Sequence, residues 1–173
     1  MSHSQQEEII VRDARLSDLD HLVEFNLAMA LETEKRNLSP PLLRAGVQSV
    51  LKQPSRGFYL VGEIQQDHSP LIAGQLLITY EWSDWRNANF WWIQSVYVHQ
   101  NWRHRGVFRA LYQHVYDQAQ TRSDVCGVRL YVEQENAQAK VVYAKMGLVV
   151  TPYQMLERDF VMPHKLTDSK HIP

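Results

Sequence analysis

Apolar residues recur at helical intervals as far as Leu51, and from Gly57 onward the pattern turns into strands. Leu19, Leu22, Val23, Leu27 and Ala30 mark a first helical face, with Ser17 as N-cap and Asp20 completing a capping box. Ser39-Pro40-Pro41 opens a second, shorter helix that puts Leu43, Val47, Val50 and Leu51 on one side. "IIVRDAR" before these helices reads as a strand. "GFYLVGEI", "LIAGQLLITYEW" and "FWWIQSVYV" after them read as an antiparallel meander. "GVRLYVE" continues the sheet. "NAQAKVVYAKMG" reads as a helix capped by Asn136 and ended by Gly147, with Ala139, Val142, Tyr143 and Met146 on its buried face. "LVV" and "YQMLERDF" predict a closing hairpin. Strands and helices that succeed one another in this way require a mixed α/β (α+β) fold. The expectation is a central sheet of six to seven strands flanked by about four helices.

The strand ending at Val98 runs directly into "HQNWRHRG" and then into another helix. Val107, Leu111, Val115 and Ala119 form its apolar stripe, with Phe108 and Tyr112 alongside. The first N–H groups of a helix have no partner within it and lie at the positive end of its dipole. A glycine there lets an anion approach the backbone, and Arg103 and Arg105 add full charges around Gly106. The basic cluster is local, because 18 Lys+Arg stand against 19 Asp+Glu. That balance lacks the basic excess of a nucleic-acid binder, so the cluster suits a small anion such as a pyrophosphate. Neither a Walker-type phosphate loop nor a dinucleotide fingerprint occurs.

Two stretches are similar to the GNAT superfamily of N-acetyltransferases. "VYVHQNWRHRGVFRAL" follows the family's acetyl-CoA loop at Val98, Trp102, Arg103, Arg105, Gly106, Val107 and Leu111. "YVEQENAQAKVVYAKMGL" follows its second signature at Val132, Glu133, Asn136, Ala139, Tyr143, Gly147 and Leu148. Phe108 replaces the usual second loop glycine, and Gln100 the usual proline. The resemblance implies the GNAT fold, acetyl-CoA as cosubstrate, and a primary amine of a small molecule or peptide as acceptor. It also implies that Val96, Tyr97 and Val98 line the pantetheine arm. Arg103, His104, Arg105, Gly106, Val107 and Phe108 would hold the pyrophosphate, and Asn136 and Ala139 would adjoin the cofactor. Tyr143 would be the general acid. Gln94 stands where many relatives carry a basic glutamate, which leaves Glu81 and Glu133 as candidate bases. That replacement also keeps open a non-catalytic acyl-CoA sensor of the same fold. The resemblance admits a homodimer.

The remaining features read more plainly. Trp82, Trp85, Trp91 and Trp92 suit core and edge packing on adjacent strands. The single cysteine, Cys126, reads as a small buried residue and fits a reducing compartment. The histidines show no paired metal spacing, so no metal is expected. Neither a signal segment nor a membrane span is evident, which predicts one cytoplasmic domain over 1–173, with its core at 9–160 and a loose C-terminal tail.

Overall fold

The computed structural model describes residues 8–66 and 69–161; the expected loose tail lies largely outside them. It divides into two compact units, 1–131 and 132–173.

The first unit is a mixed five-stranded sheet. Its strands are β1 (Ile9–Asp13), β2 (Phe58–Gln66), β3 (Ser69–Ser83), β4 (Ala88–Val98) and β5 (Val125–Leu130), in spatial order 1-2-3-4-5. Helices α1 (Leu19–Glu34) and α2 (Pro40–Lys52) follow β1, and α3 (Val107–Gln120) joins β4 to β5. The first four strands pair antiparallel, and β5 runs parallel to β4, as a helical crossover requires. Leu19, Leu22 and Val23 of α1 and Val47 of α2 form one core with Tyr59 and Val61 of the sheet. The stripe Val107, Leu111, Val115 and Ala119 is buried on α3 as its spacing predicts.

Two strand glycines determine how α3 is seated. Gly62 and Gly74 lie opposite one another on β2 and β3. A Cβ on Gly62 would stand 3.2 Å from Val107 Cγ1, and one on Gly74 would stand 3.0 Å from the same methyl and 2.9 Å from the Tyr97 carbonyl oxygen. The first residue of α3 thus rests in a hollow made by two missing side chains.

The start of α1 differs from expectation. The chain passes through a short 3-10 turn at Leu16–Asp18, and Asp18, in place of Ser17, accepts the Arg15 N–H at 2.6 Å. Asp18 also takes two hydrogen bonds from Arg12, at 2.8 and 3.1 Å, while Arg12 Nε reaches Glu63 at 2.8 Å. Burial works to raise the Asp18 carboxyl, but the Arg12 and Arg15 hydrogen bonds outweigh it and hold the group below the usual carboxylate range. A depressed pKa adds stability above the unfolded-state value, and that stability is lost as pH falls through the folded value. Asp18→Asn is therefore expected to cost about 2–3 kcal/mol at pH 7, the scale of hydrogen bonds to a charged group. Urea unfolding at pH 7 and pH 3 should show that difference shrinking at the lower pH.

The second unit contains α4 (Ala137–Lys145). Asn136 caps it by accepting the Ala139 N–H at 3.0 Å. Gly147, at φ +85°, ends it in a Schellman turn, with Leu148 N–H bonded to the Tyr143 carbonyl and Gly147 N–H to that of Ala144. The expected closing hairpin is not formed: neither 148–150 nor 153–160 enters a strand, so the sheet has five strands where six to seven were expected. Apolar and β-branched content favours a strand only where a partner edge and a buried face exist. Val149, Val150, Leu156 and Phe160 are instead each more than 80% exposed.

Candidate functional site

β4 carries an irregularity at the point that matters for binding. Its ladder to β3 pairs Ser95 with Leu77 and Ile93 with Ile78, so Gln94 is an extra, bulged residue. On its other side β4 pairs with β5 only from Asn89 to Ile93, where β5 ends at Leu130. Beyond the bulge no strand among the described residues pairs with that edge. Val96 and Val98 lie on this segment, which can take an extended ligand arm as an added strand.

The segment leads into a 3-10 turn, Gln100–Trp102, and then a loop with unusual backbone angles. His104 has φ +62° and Gly106 φ +91°. Both are left-handed, and Gly106 is the N-cap of α3, whose first regular bond runs from Ala110 N–H to the Gly106 carbonyl. Alternation of this kind turns backbone N–H groups toward one concavity and suits an anion. A Cβ on Gly106 would find only Ile9 Cδ1, at 3.8 Å, so the space over the helix start is open. Phe108 adopts ordinary helical backbone one residue into α3 and is half-buried, its ring 6.3 Å from that of Tyr112.

The arginines divide their tasks. Arg105 is exposed and lies over the Trp102 ring at 4.9 Å, and Arg109 is exposed on the helix. Arg103 turns toward α1, where its Nη2 meets Glu32 at 2.5 Å while its Nε donates to the Val98 carbonyl at 3.0 Å. Tyr97, nominated as a cofactor residue, buries its ring and donates its hydroxyl to Glu32 at 2.9 Å. Hydrogen bonds from Arg103 and Tyr97 lower the Glu32 carboxyl, which makes it a poor base. Nothing local in the sequence marks Glu32, because its partners lie 65 and 71 positions away.

The candidate bases are placed differently from each other. Glu81 on β3 is held by Arg129 of β5 at 2.6 Å, and that guanidinium also covers the Phe90 ring at 3.6 Å. Gln94 is exposed and accepts from the Thr79 hydroxyl at 3.4 Å. In the second unit Glu133 is exposed, and Asn136 and Ala139 open α4. Tyr143 on α4 is half-buried, and that burial raises its phenol above the ordinary value. The burial expected of the α4 stripe is partial, since Val142 is exposed and Ala139 and Met146 are half-buried. Among the tryptophans, Trp91 is core, as expected, whereas Trp82 and Trp85 are exposed. Cys126 is half-buried, a correction to the buried reading, with its thiol 3.7 Å from the Ala88 carbonyl.

A cavity of about 380 Å³ lies at the far end of α3 from Gly106, lined by Phe58, Tyr80, Trp91, Arg122 and Asp124 among others. Arg122 pairs with Asp124 and sits over Trp91, so the chain supplies its own cation there. No helix among the described residues is long and apolar enough to cross a membrane.

The fold is shared with solved acetyltransferases. A possible acetyltransferase from Clostridium difficile 630 is 38% identical with a TM-score of 0.81, covering 90% of this chain and 100% of its own. An aminoglycoside N-acetyltransferase solved in complex with CoA shares the fold at 12% identity and a TM-score of 0.70, covering 92% and 99% of the two chains. A ribosomal-protein-alanine N-acetyltransferase from Brucella melitensis biovar Abortus 2308 does so at 14% and 0.66, covering 88% and 100%. No curated protein matches the sequence. Residues 25–148 match the acetyltransferase (GNAT) family, and the chain belongs to that family. Acyl transfer is accordingly its general chemistry.

Proposed function

We propose that the protein transfers the acetyl group of acetyl-CoA to a primary amine of a small molecule or peptide, by direct attack while both are bound. The observation that carries this reading is the edge of β4 left unpaired beyond Ile93, leading into the left-handed Gly106 at the start of α3. Backbone groups of Val96 and Val98 take the pantetheine arm as an added strand. N–H groups from Arg103 to Phe108 hold the pyrophosphate at the positive end of α3, and exposed Arg105 complements its charge. The side-chain amide of Asn136 meets the CoA arm with its nitrogen, since its oxygen caps α4.

Acetyl-CoA, when bound, supplies an activated carbonyl and a thiolate leaving group. Tyr143 donates its phenolic proton to that sulfur, a proton that an ordinary phenol already holds at neutral pH. Glu81 is engaged with Arg129, which leaves Glu133 to take the amine's proton through water. A substrate that arrives as the free amine needs no base before attack, and the proton its nitrogen sheds afterwards passes through water to the tyrosinate left at Tyr143.

Release of CoA thiol across a panel of amines tests the reaction. Binding of acetyl-CoA without any release would make the chain a binding module. Tyr143→Phe is expected to lower turnover roughly ten-fold or more with CoA affinity unchanged, the scale of lost general-acid help. Unchanged turnover in steady-state assays would refute that role.

A further inference from the structure

Arg103 occupies a position read from sequence as a phosphate ligand, yet each of its recorded contacts runs inward. Its Nε donates to the Val98 carbonyl, its Nη2 meets Glu32, and its guanidinium lies 5.5 Å from the Tyr97 ring centroid. Tyr97 is held in turn: it is buried, 6% exposed, with the Phe25 ring 5.2 Å away and its hydroxyl on the second oxygen of Glu32. One carboxylate on α1 thereby joins the end of β4 to the first residue of the Arg/Gly loop.

We propose that Glu32, Tyr97 and Arg103 form a positioning network that sets the backbone of the Arg/Gly loop for pyrophosphate binding, with Glu32 as its anchor. The inference rests on the reading that this loop holds the phosphates of CoA. The loop needs such an anchor. His104, directly after Arg103, has a left-handed backbone without being glycine, and Gly106 follows at φ +91°. Left-handed non-glycine residues persist where the surroundings over-determine them. The planar guanidinium, whose donors point in set directions, can reach a carbonyl and a carboxylate at once and so orient the peptide that follows.

The alternative arrangement has the opposite sign. If Arg103 left Glu32 to bind phosphate, Glu32 would compete with the ligand, and its removal would strengthen binding. The geometry favours positioning, because Arg103 is held by Val98 as well as by Glu32. Glu32 and Arg103 are each 40% exposed, and an exposed pair contributes little to global stability. The network's effect should therefore appear in the loop rather than in the fold.

Glu32→Ala and Glu32→Gln would be compared with the parent protein by calorimetric titration of CoA, thermal unfolding, and kcat/KM for acetyl-CoA against S-acetylpantetheine, which lacks the pyrophosphate. Glu32→Ala should weaken CoA binding about ten-fold and lower kcat/KM for acetyl-CoA by a similar factor, as lost uniform binding does. S-acetylpantetheine kinetics and the unfolding midpoint should stay close to the parent. Glu32→Gln, which keeps an oxygen acceptor, should recover part of the loss. Unchanged or tighter CoA binding in Glu32→Ala overturns the network, as does an equal loss with S-acetylpantetheine. A parent protein that binds no CoA would instead overturn the reading of the loop itself.

Discussion

Gly106→Glu is expected to abolish CoA binding, by at least about a hundred-fold or nearly 3 kcal/mol, while the protein stays folded. The substitution acts in two ways. A side chain at φ +91° carries left-handed strain on the order of 1–2 kcal/mol, but it meets no wall, since the nearest atom to its Cβ would be Ile9 Cδ1 at 3.8 Å. The new carboxylate would also lie at the positive end of α3, where it satisfies the N–H groups a phosphate would use and repels the phosphate itself. Gly106→Ala separates the two effects, because it carries the strain without the charge. Its affinity loss should be much smaller and its unfolding midpoint similar. Titration of CoA with both variants, alongside thermal melts, decides the matter, and CoA affinity retained by Gly106→Glu refutes the loop assignment.

Gly74→Val should cost about 2–3 kcal/mol of stability, the upper range for overpacking a filled core. A Cβ at Gly74 stands 2.9 Å from the Tyr97 carbonyl oxygen and 3.0 Å from Val107 Cγ1, with Val98 Cγ2 at 3.4 Å. The carbonyl belongs to a paired strand and cannot withdraw, so Val107 must move. Val107 is the residue directly after Gly106, and its displacement lifts the helix start. The unfolding midpoint should fall by roughly 4–12 °C for a chain of this size, and CoA affinity should fall with it. A variant with parental stability and affinity would show that the hollow under α3 has slack the geometry does not reveal.

Much of this was legible in advance because the signals are local. The stripe from Val107 to Ala119 needs only helical periodicity, and Asn136 and Gly147 bracket α4 as cap chemistry requires. What escaped is long-range. Arg103 reads as a free charge beside a glycine, and only tertiary structure brings Glu32 to it from 71 residues away. Gly62 and Gly74 carry no mark in the sequence, because their use depends on a methyl from a helix more than thirty residues downstream. The segment 148–160 misled in the opposite direction: its composition is that of strands, but composition does not provide a partner. The bulge at Gln94 was invisible for a related reason, since it exists only as a mismatch of register between β3 and β4.

The short length of β5 has a wider consequence. An exposed strand edge will accept any extended chain of suitable length, whether a ligand arm or another polypeptide, because its N–H and C=O groups do not discriminate. The stretch beyond Ile93 is therefore both an invitation and a hazard. In this reading the cosubstrate doubles as a temporary sixth strand, and the abundance of acyl-CoA around the protein governs how often that edge is left open to the wrong guest.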